Sequence, residues 1–369
     1  MIFFLSLSLL RILYVQLLAI MWWRIPGGKS HSTLSATFSV LIPVRNEEEN
    51  IVALLQDLEN QDYPQKLFEV MVIDDHSEDQ TVTLVNEFIK STALNIRVIQ
   101  LDEQNGKKAA ITQGIQLANN EYILATDGDC RIPATWIKTF ASRFDDHDDP
   151  NMVVAPVLME SDNLFTNMQS LEFSALIGYG GSSLQMGFAG TCNGANIGYK
   201  RAIFQEVDGY VGNEKVPSGD DEFLMFKIFN KYPGTVRFLK SPDVVVRTPA
   251  KKTLLELINQ RIRWSSKWKF HKSIYVSLTA ITFFIDYAML IAAVVLAMLG
   301  LIEFTTVASV LLLRWLTEYY YISNVVRFLG GKSRWFNFLA MQIIYPVFVI
   351  FLGIASIFGI YHWKGRAYS

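Results

Sequence analysis

Apolar positions are distributed unevenly along this chain. Residues 1–23 are almost wholly apolar, interrupted by Arg11 and Gln16 and closed by Trp22 and Trp23. That run is long enough to span a bilayer and ends in residues suited to its interface. No basic residue precedes the apolar run and no small-residue cleavage site precedes Trp22, so it reads as a retained anchor rather than a secretory signal. Further apolar runs at 274–301, 305–326 and 335–363 predict about three more transmembrane or membrane-embedded helices. Asp286 interrupts the first, and Arg314 and Glu318, four residues apart on one face of the second, are expected to neutralise each other. Pro346 leaves the third as either a full crossing or a re-entrant hairpin. Lys267, Lys269 and Lys272 before the first run, and Arg327, Lys332 and Arg334 after the second, place the middle of the chain on the cytoplasmic side. A full crossing by the third run would set the basic tail of Lys364, Gly365 and Arg366 outside, against the same rule.

The middle of the chain follows a different pattern, with short apolar runs alternating with amphipathic ones. Strands are expected at 38–42, 68–73, 96–101 and 121–126, and helices at 47–61, 81–90 and 107–119. The helix at 47–61 carries Ile51, Leu54, Leu55 and Leu58 on one face, with acidic residues in its first turn. Pro133 suits the first turn of a following helix striped by Trp136, Ile137, Phe140 and Phe144. The alternation predicts an α/β fold, a doubly wound, mostly parallel sheet that binds ligands at the carboxyl ends of its strands. Four regions follow: an anchor at 1–23, a nucleotide-binding half at 37–160, a second half with interfacial helices at 161–272, and membrane helices at 274–363.

Composition sharpens this division. The 369 residues are 51% hydrophobic and only 18% charged, less charge than a soluble domain carries, so part of the apolar surface faces a membrane. Thirty-three Lys and Arg against 35 Asp and Glu exclude the basic balance of a nucleic-acid binder. Two cysteines, Cys130 and Cys192, make neither a disulfide framework nor a metal cage.

The strand ends carry the candidate chemistry. The first runs into Pro43, Val44, Arg45, Asn46 and Glu47, with neither G-x-G-x-x-G nor a P-loop, which disfavours a dinucleotide-dependent dehydrogenase and a P-loop ATPase. Asp127 and Asp129, separated by Gly128, follow the fourth strand and suit Mg²⁺ or Mn²⁺ bridging to a diphosphate, the glycine admitting a bulky anion. Asp75, beside Asp74, is either a turn cap or an acceptor for a base or ribose. Lys107 and Lys108 open a helix after Gly106, as phosphate-directed cations or as a solvated helix start. The run Asp145, Asp146, His147, Asp148, Asp149 reads as a solvated loop. Asp220, Asp221 and Glu222 begin a further helix, as caps or as functional acids. Gln260, Arg263 and Trp264 share one face of a basic helix before residue 274, which is also the pattern of an interfacial helix with snorkelling cations.

In this order, P-x-R-N-E, I-D-D, G-K, D-G-D, G-D-D and Q-x-x-R-W resemble the family 2 inverting glycosyltransferases of GT-A fold, which include cellulose, chitin and hyaluronan synthases and many lipid glycosyltransferases. The resemblance covers about residues 38–272 and the membrane layout. It implies that Pro43, Glu47 and Asp75 bind the nucleoside part of a nucleotide-sugar donor, with Lys107 near it, and that Asp127 and Asp129 serve a metal, Mg²⁺ or Mn²⁺, and the diphosphate. It further implies that Asp221 is the catalytic base and that Gln260, Arg263 and Trp264 line the donor and acceptor site. The family usually has Glu-Asp where this chain has Asp220 and Asp221, so both stay candidates for the base. The segment from Gly190 to Asn196, with Asn193, resembles the family's acceptor loop and is otherwise a glycine-rich turn. The reading that follows is a membrane-bound, metal-dependent, inverting hexosyltransferase using a UDP-sugar by preference, with a lipid or lipid-linked saccharide acceptor and no nucleic-acid partner. Its expected location is a bacterial plasma membrane, with the catalytic domain cytoplasmic. A processive polysaccharide synthase is the first alternative, and an inactive nucleotide-sugar-binding membrane protein the second.

Overall fold

The computed structural model describes residues 1–28, 35–102, 105–214, 216, 218–267, 274–358, 361–363 and 366–368. Lys269, Lys272, Lys364 and Gly365, on which the topology reading drew, lie outside the described residues. The chain forms two compact units. One comprises Ile25–Met159 and Leu184–Pro249, the other Met1–Arg24, Glu160–Ser183 and Ala250–Ser369.

The first unit is the α/β unit. In chain order, after the N-terminal helix α1 (Ile2–Arg24), it contains β1 (Phe38–Val44), α2 (Ile51–Glu59), β2 (Phe68–Asp74), α3 (Thr81–Ile89), β3 (Ile96–Gln100), α4 (Lys107–Leu117), β4 (Tyr122–Ala125), α5 (Trp136–Phe144), β5 (Met152–Val154) and β6 (Val157–Glu160). After α6 (Leu164–Gln185) the unit resumes with β7 (Ile197–Lys200), α7 (Arg201–Glu206), α8 (Asp220–Lys231), β8 (Val236–Phe238) and β9 (Val246–Pro249). Seven strands form one sheet in the order β3-β2-β1-β4-β7-β5-β8, while β6 and β9 make a separate two-stranded ribbon. β7 alone runs against the rest, antiparallel to both neighbours. All seven residues of β2 are buried, and six of seven in β1, as strands covered on both faces require.

Charged residues also lie inside this core, Glu69 and Asp74 of β2 among them. Glu69 on β2 is 2% exposed. Its carboxylate accepts hydrogen bonds from Ser39 Oγ at 2.6 Å, from Asn119 N at 2.8 Å and Nδ2 at 3.0 Å, and from Arg97 Nη2 at 2.8 Å. Burial pushes its pKa up, and these donors together with the Arg97 charge more than reverse that, holding it below its ordinary value.

Two local expectations shift. The acids at 47–49 do not open α2, which begins at Ile51 with no acid in its first turn; they form the preceding turn, where Asn50 and Ile51 N–H groups donate to the Glu47 carbonyl. Pro133 likewise precedes α5, and its carbonyl closes a turn onto Trp136 N. The acidic loop after α5 is fastened by ion pairs, Arg143 to Asp146 and Asp148, Arg237 to Asp148, and Lys200 to Asp149.

The second unit holds α1, most of α6, α9 (Leu254–Ser266), α10 (Ile274–Met298), α11 (Phe304–Phe328), α12 (Trp335–Phe358) and a terminal hairpin of β10 (Tyr361–Trp363) and β11 (Arg366–Tyr368). Among the described residues three helices are long and apolar enough to cross a membrane, Ile2–Arg24, Ser277–Met298 and Trp335–Ser356. The run at 305–326 is helical as α11, but its charges and tyrosines leave it outside that set. Pro346 sits inside a continuous α12 and does not break it.

Arg314 and Glu318 do not neutralise each other. Arg314 forks onto Asp286 of α10 at 3.0 and 2.6 Å, and Glu318 receives Arg11 of α1 at 3.0 Å and Gln342 of α12 at 2.5 Å. Each charge has turned to a neighbouring helix, where a fixed partner replaces water that apolar surroundings cannot supply.

Candidate active site

β1 lies between β2 and β4, so the strand order reverses there and opens a crevice at the carboxyl ends of β1 and β4. Arg45, just past β1 and 7% exposed, ties that end to β2: its Nη1 donates to the carbonyls of Asp75 at 2.8 Å and His76 at 2.9 Å. Asn46 adopts φ 53°, a left-handed conformation that asparagine tolerates, and its Oδ1 accepts from Glu78 N at 2.8 Å. The turn brings Glu47 back over the strand end, where it is 7% exposed and accepts from Asn50 Nδ2 at 2.9 Å. Pro43 stays within β1, in register with Ile73.

The glycine between the paired aspartates has a role the sequence reading did not assign. A Cβ on Gly128 would come within 3.0 Å of both Glu47 Cγ and Val44 Cγ1. The absence of a side chain therefore lets the end of β4 close against the end of β1. Asp127 and Asp129 on either side are half-buried. Cys130 beside them is 1% exposed, and burial first, then the neighbouring Asp129 and Asp127 charges, raise its thiol well above the usual range, so it remains a neutral packing residue.

Lys107 and Lys108 separate into two roles. Lys108 donates to the carbonyls of Asn213 and Val216, both at 2.7 Å, and so clamps a loop. Lys107 lies 2.6 Å from Asp127 Oδ1 and 3.4 Å from Asp220 Oδ2. Burial disfavours its charge, but Asp127, Asp220 and Asp221 outweigh burial and raise its pKa above the ordinary lysine value. Just before it, Gly106 at φ 93° turns its N–H onto Asp75 Oδ2 at 3.0 Å.

The start of α8 contributes three acids with three different partners. Asp220 faces Lys107. Asp221, half-buried, accepts from Gly194 N on Oδ2 and from Glu222 N on Oδ1, both at 2.8 Å. Glu222 receives the Thr191 hydroxyl. These bonds pin the 190–196 loop to the helix, and a Cβ on Gly194 would meet Lys107 Nζ at 3.0 Å and Asp220 Oδ2 at 3.1 Å. Asn193 Oδ1 caps Ala195 N at 2.8 Å within that loop. Asn196, fully buried, anchors the loop's end by donating to the carbonyls of Pro156 and Val244 and accepting from Trp136 Nε1. Glu47, Asp75, Lys107, Asp127, Asp129, Asn193, Asp220 and Asp221 thus belong to the α/β unit, whereas Gln260, Arg263 and Trp264 lie on α9 in the other unit.

Among the described residues no group of three His, Cys, Asp or Glu side chains could enclose an ion. A pair of half-buried carboxylates fits Mg²⁺ or Mn²⁺, which dehydrates reluctantly and is commonly held by one or two carboxylates together with waters and substrate phosphates.

Stretches of this chain are similar to known glycosyltransferases. A 101-residue stretch is 39% identical to glycosyltransferase AglE of Haloferax volcanii, covering 27% of this chain and 33% of that protein. A 231-residue stretch is 26% identical to beta-monoglucosyldiacylglycerol synthase of Trichormus variabilis, covering 62% and 48%. A 235-residue stretch is 24% identical to poly-beta-1,6-N-acetyl-D-glucosamine synthase of Staphylococcus epidermidis, covering 62% and 53%. The chain thus spans between a third and about half of these relatives' lengths. The mannosyltransferase PcManGT of Pyrobaculum calidifontis, solved with GDP-Man and Mn²⁺, shares the fold, with TM-score 0.57 at 17% identity over 96% of this chain and 95% of that one. Residues 39–208 match the family model Glycosyl transferase family 2, and the chain carries a family 2 glycosyltransferase domain of GT-A fold.

Proposed function

We propose that the protein is a membrane-bound inverting glycosyltransferase. It moves a hexose from a nucleoside diphosphate sugar, with UDP favoured, to a hydroxyl of a lipid or lipid-linked saccharide. The observation that carries this reading is the pair at the start of α8. Asp220 is paired with Lys107, while its neighbour Asp221 is half-buried and held by two backbone N–H groups. Those donors and the helix start favour the ionised carboxylate. Asp221 takes the proton of the acceptor hydroxyl as that oxygen attacks the anomeric carbon. The bond to the diphosphate breaks on the opposite face, and configuration inverts. Lys107 supplies positive charge on the diphosphate side, and Pro43, Glu47 and Asp75 hold the nucleoside. A divalent ion held by Asp127 and Asp129 would add electrostatic stabilisation of the leaving diphosphate.

In this reading residues 37–160 form the donor half and 161–272 the acceptor half, with Asn193, Gln260, Arg263 and Trp264 serving the acceptor. Support for a lipid acceptor comes from the apolar helices and from the similarity to a glucosyldiacylglycerol synthase. Lys267, Arg327, Lys332 and Arg334 support a cytoplasmic catalytic domain, at a bacterial plasma membrane. A processive polysaccharide synthase is the second reading, favoured by the comparable match to a polysaccharide synthase.

The test uses the full chain in phosphatidylglycerol vesicles containing diacylglycerol or a polyprenyl phosphate. UDP-glucose, UDP-N-acetylglucosamine and GDP-mannose are each supplied with Mg²⁺ or Mn²⁺. Release of nucleoside diphosphate with one sugar added to lipid is expected. A polymer would move the assignment to the second reading, and no donor consumption under any condition would overturn both.

A further inference from the structure

The Q-x-x-R-W pattern on α9 leaves its second position unspecified, and here that position is Arg261. It is 3% exposed. Its guanidinium forks onto Glu172 of α6, with Nε 3.1 Å from both carboxylate oxygens and Nη2 2.7 Å from Oε2. Nη1 donates to Gln260 Oε1 at 2.5 Å. The cation also lies 4.3 Å from the centroid of the Trp264 ring, whose neighbour Phe173, next to Glu172 in the chain, packs at 5.9 Å with planes 34° apart. One buried cation, neutralised from α6, therefore touches two of the three motif side chains.

The charge fixes which way the Gln260 amide points. A guanidinium only donates, so turning the amide about would set NH₂ against N–H and leave a buried donor unmatched. With Oε1 already accepting from Arg261, half-buried Gln260 has its two N–H donors to offer a ligand. We infer that Arg261 and Glu172 are positioning residues that hold Gln260 as a hydrogen-bond donor and Trp264 in a fixed plane, so that the ligand atom meeting Gln260 is an accepting oxygen of a phosphate or a sugar. This rests on the assignment of Gln260 and Trp264 to the donor and acceptor site proposed above.

The test compares three variants of the full chain in the vesicles just described. Glu172→Leu with Arg261→Met replaces the pair by apolar side chains of similar size, a change that buried ion pairs commonly tolerate in stability. Arg261→Lys keeps the charge opposite Glu172 but loses the Nη1 hydrogen bond to Gln260. Gln260→Glu keeps acceptor oxygens for Arg261 and removes the NH₂. The double variant and Gln260→Glu are expected to unfold near the wild-type temperature while kcat for transfer falls about 100-fold, the scale of a reacting group misplaced by about 1 Å. Arg261→Lys is expected to fall between them and wild type. Calorimetric titration with UDP separates the two sources of oxygen: weaker UDP binding in Gln260→Glu assigns it to the donor diphosphate, while unchanged UDP binding with a raised acceptor KM assigns it to the acceptor. Wild-type kcat and KM in a folded double variant, or in Gln260→Glu, would overturn the inference alone. A wild-type protein that consumes no donor would overturn the glycosyltransferase reading beneath it.

Discussion

Lys107 and Asp127 form a 2.6 Å ion pair that links the start of α4 to the end of β4. In the proposed site the lysine occupies an oxygen that a divalent ion would also take, so the two cations would compete for it. Replacing Lys107 by Met is expected to tighten Mn²⁺ binding by about fivefold or more, corresponding to the ~1 kcal/mol that one unit charge exerts at ~4 Å even in bulk water. Transfer should fall at the same time if Lys107 has the proposed role beside the diphosphate. Electron paramagnetic resonance titration of Mn²⁺ without nucleotide reads the first effect; unchanged or weaker binding would remove Asp127 from the ion's ligands.

Asp221 and Asp220 should respond differently to neutralisation. Asp221→Asn keeps an oxygen to accept from a backbone N–H, so UDP affinity is expected to hold while transfer drops roughly 10²–10⁴-fold, the usual contribution of a general base. Asp220→Asn removes a partner of Lys107 and should raise the donor KM along with its effect on kcat. Steady-state kinetics of both variants decide the role, and wild-type turnover by Asp221→Asn would transfer it elsewhere.

The carboxylate of Glu69 gives the α/β unit a defined acid sensitivity. Its pKa in the folded protein lies below the ordinary 4.5, so the stability it contributes is complete above that value and is lost as pH falls through the lower folded value. Acid titration followed by tryptophan fluorescence should show a loss of stability below about pH 4.5 that is reduced in Glu69→Gln. Parallel acid transitions in the two proteins would contradict this.

Among the buried charges of the helical unit, Asp286 and Arg314 are each no more than 3% exposed and are paired with one another. Arg314→Leu leaves a buried carboxylate without its main partner and is expected to cost about 3–5 kcal/mol, whereas Asp286→Leu combined with Arg314→Leu should recover most of the loss. Thermal unfolding in detergent measures both. Equal destabilisation by the single and double changes would mean that the pair is not the unit of stability.

The α/β alternation, the family and the acid-rich start of α8 were legible because each leaves a local trace: a period of buried residues, a strand followed at once by carboxylates, or acids ahead of an apolar stripe. What the chain hid were partners. Arg314 has an acid one helical turn away and still turns to Asp286, 28 residues distant, while Arg11 reaches Glu318 across 307 residues. Lys107 and Lys108 are neighbours of like charge in the sequence, yet only the fold sends one to carboxylates and the other to carbonyls. Gly128 was legible as a site of close approach, but what approaches it is the Glu47 and Val44 side chains. Arg261 stood within a recognised motif without a role, because its partner Glu172 lies 89 residues upstream.

The reversed strand β7 sets the order in which this chain is able to assemble. β5 joins the sheet through β7, and β8 joins through β5, so neither can extend the β3-β2-β1-β4 layer until the ribosome has released residues beyond Lys200. By then α6 has already been synthesised. A nascent chain therefore holds a four-strand layer with β4 as an open edge while a hydrophobic helix emerges, and the 190–196 loop can be fixed only after that edge is closed. A fragment cut at Met159 would keep the open edge permanently and would be expected to aggregate rather than serve as a minimal donor-binding domain.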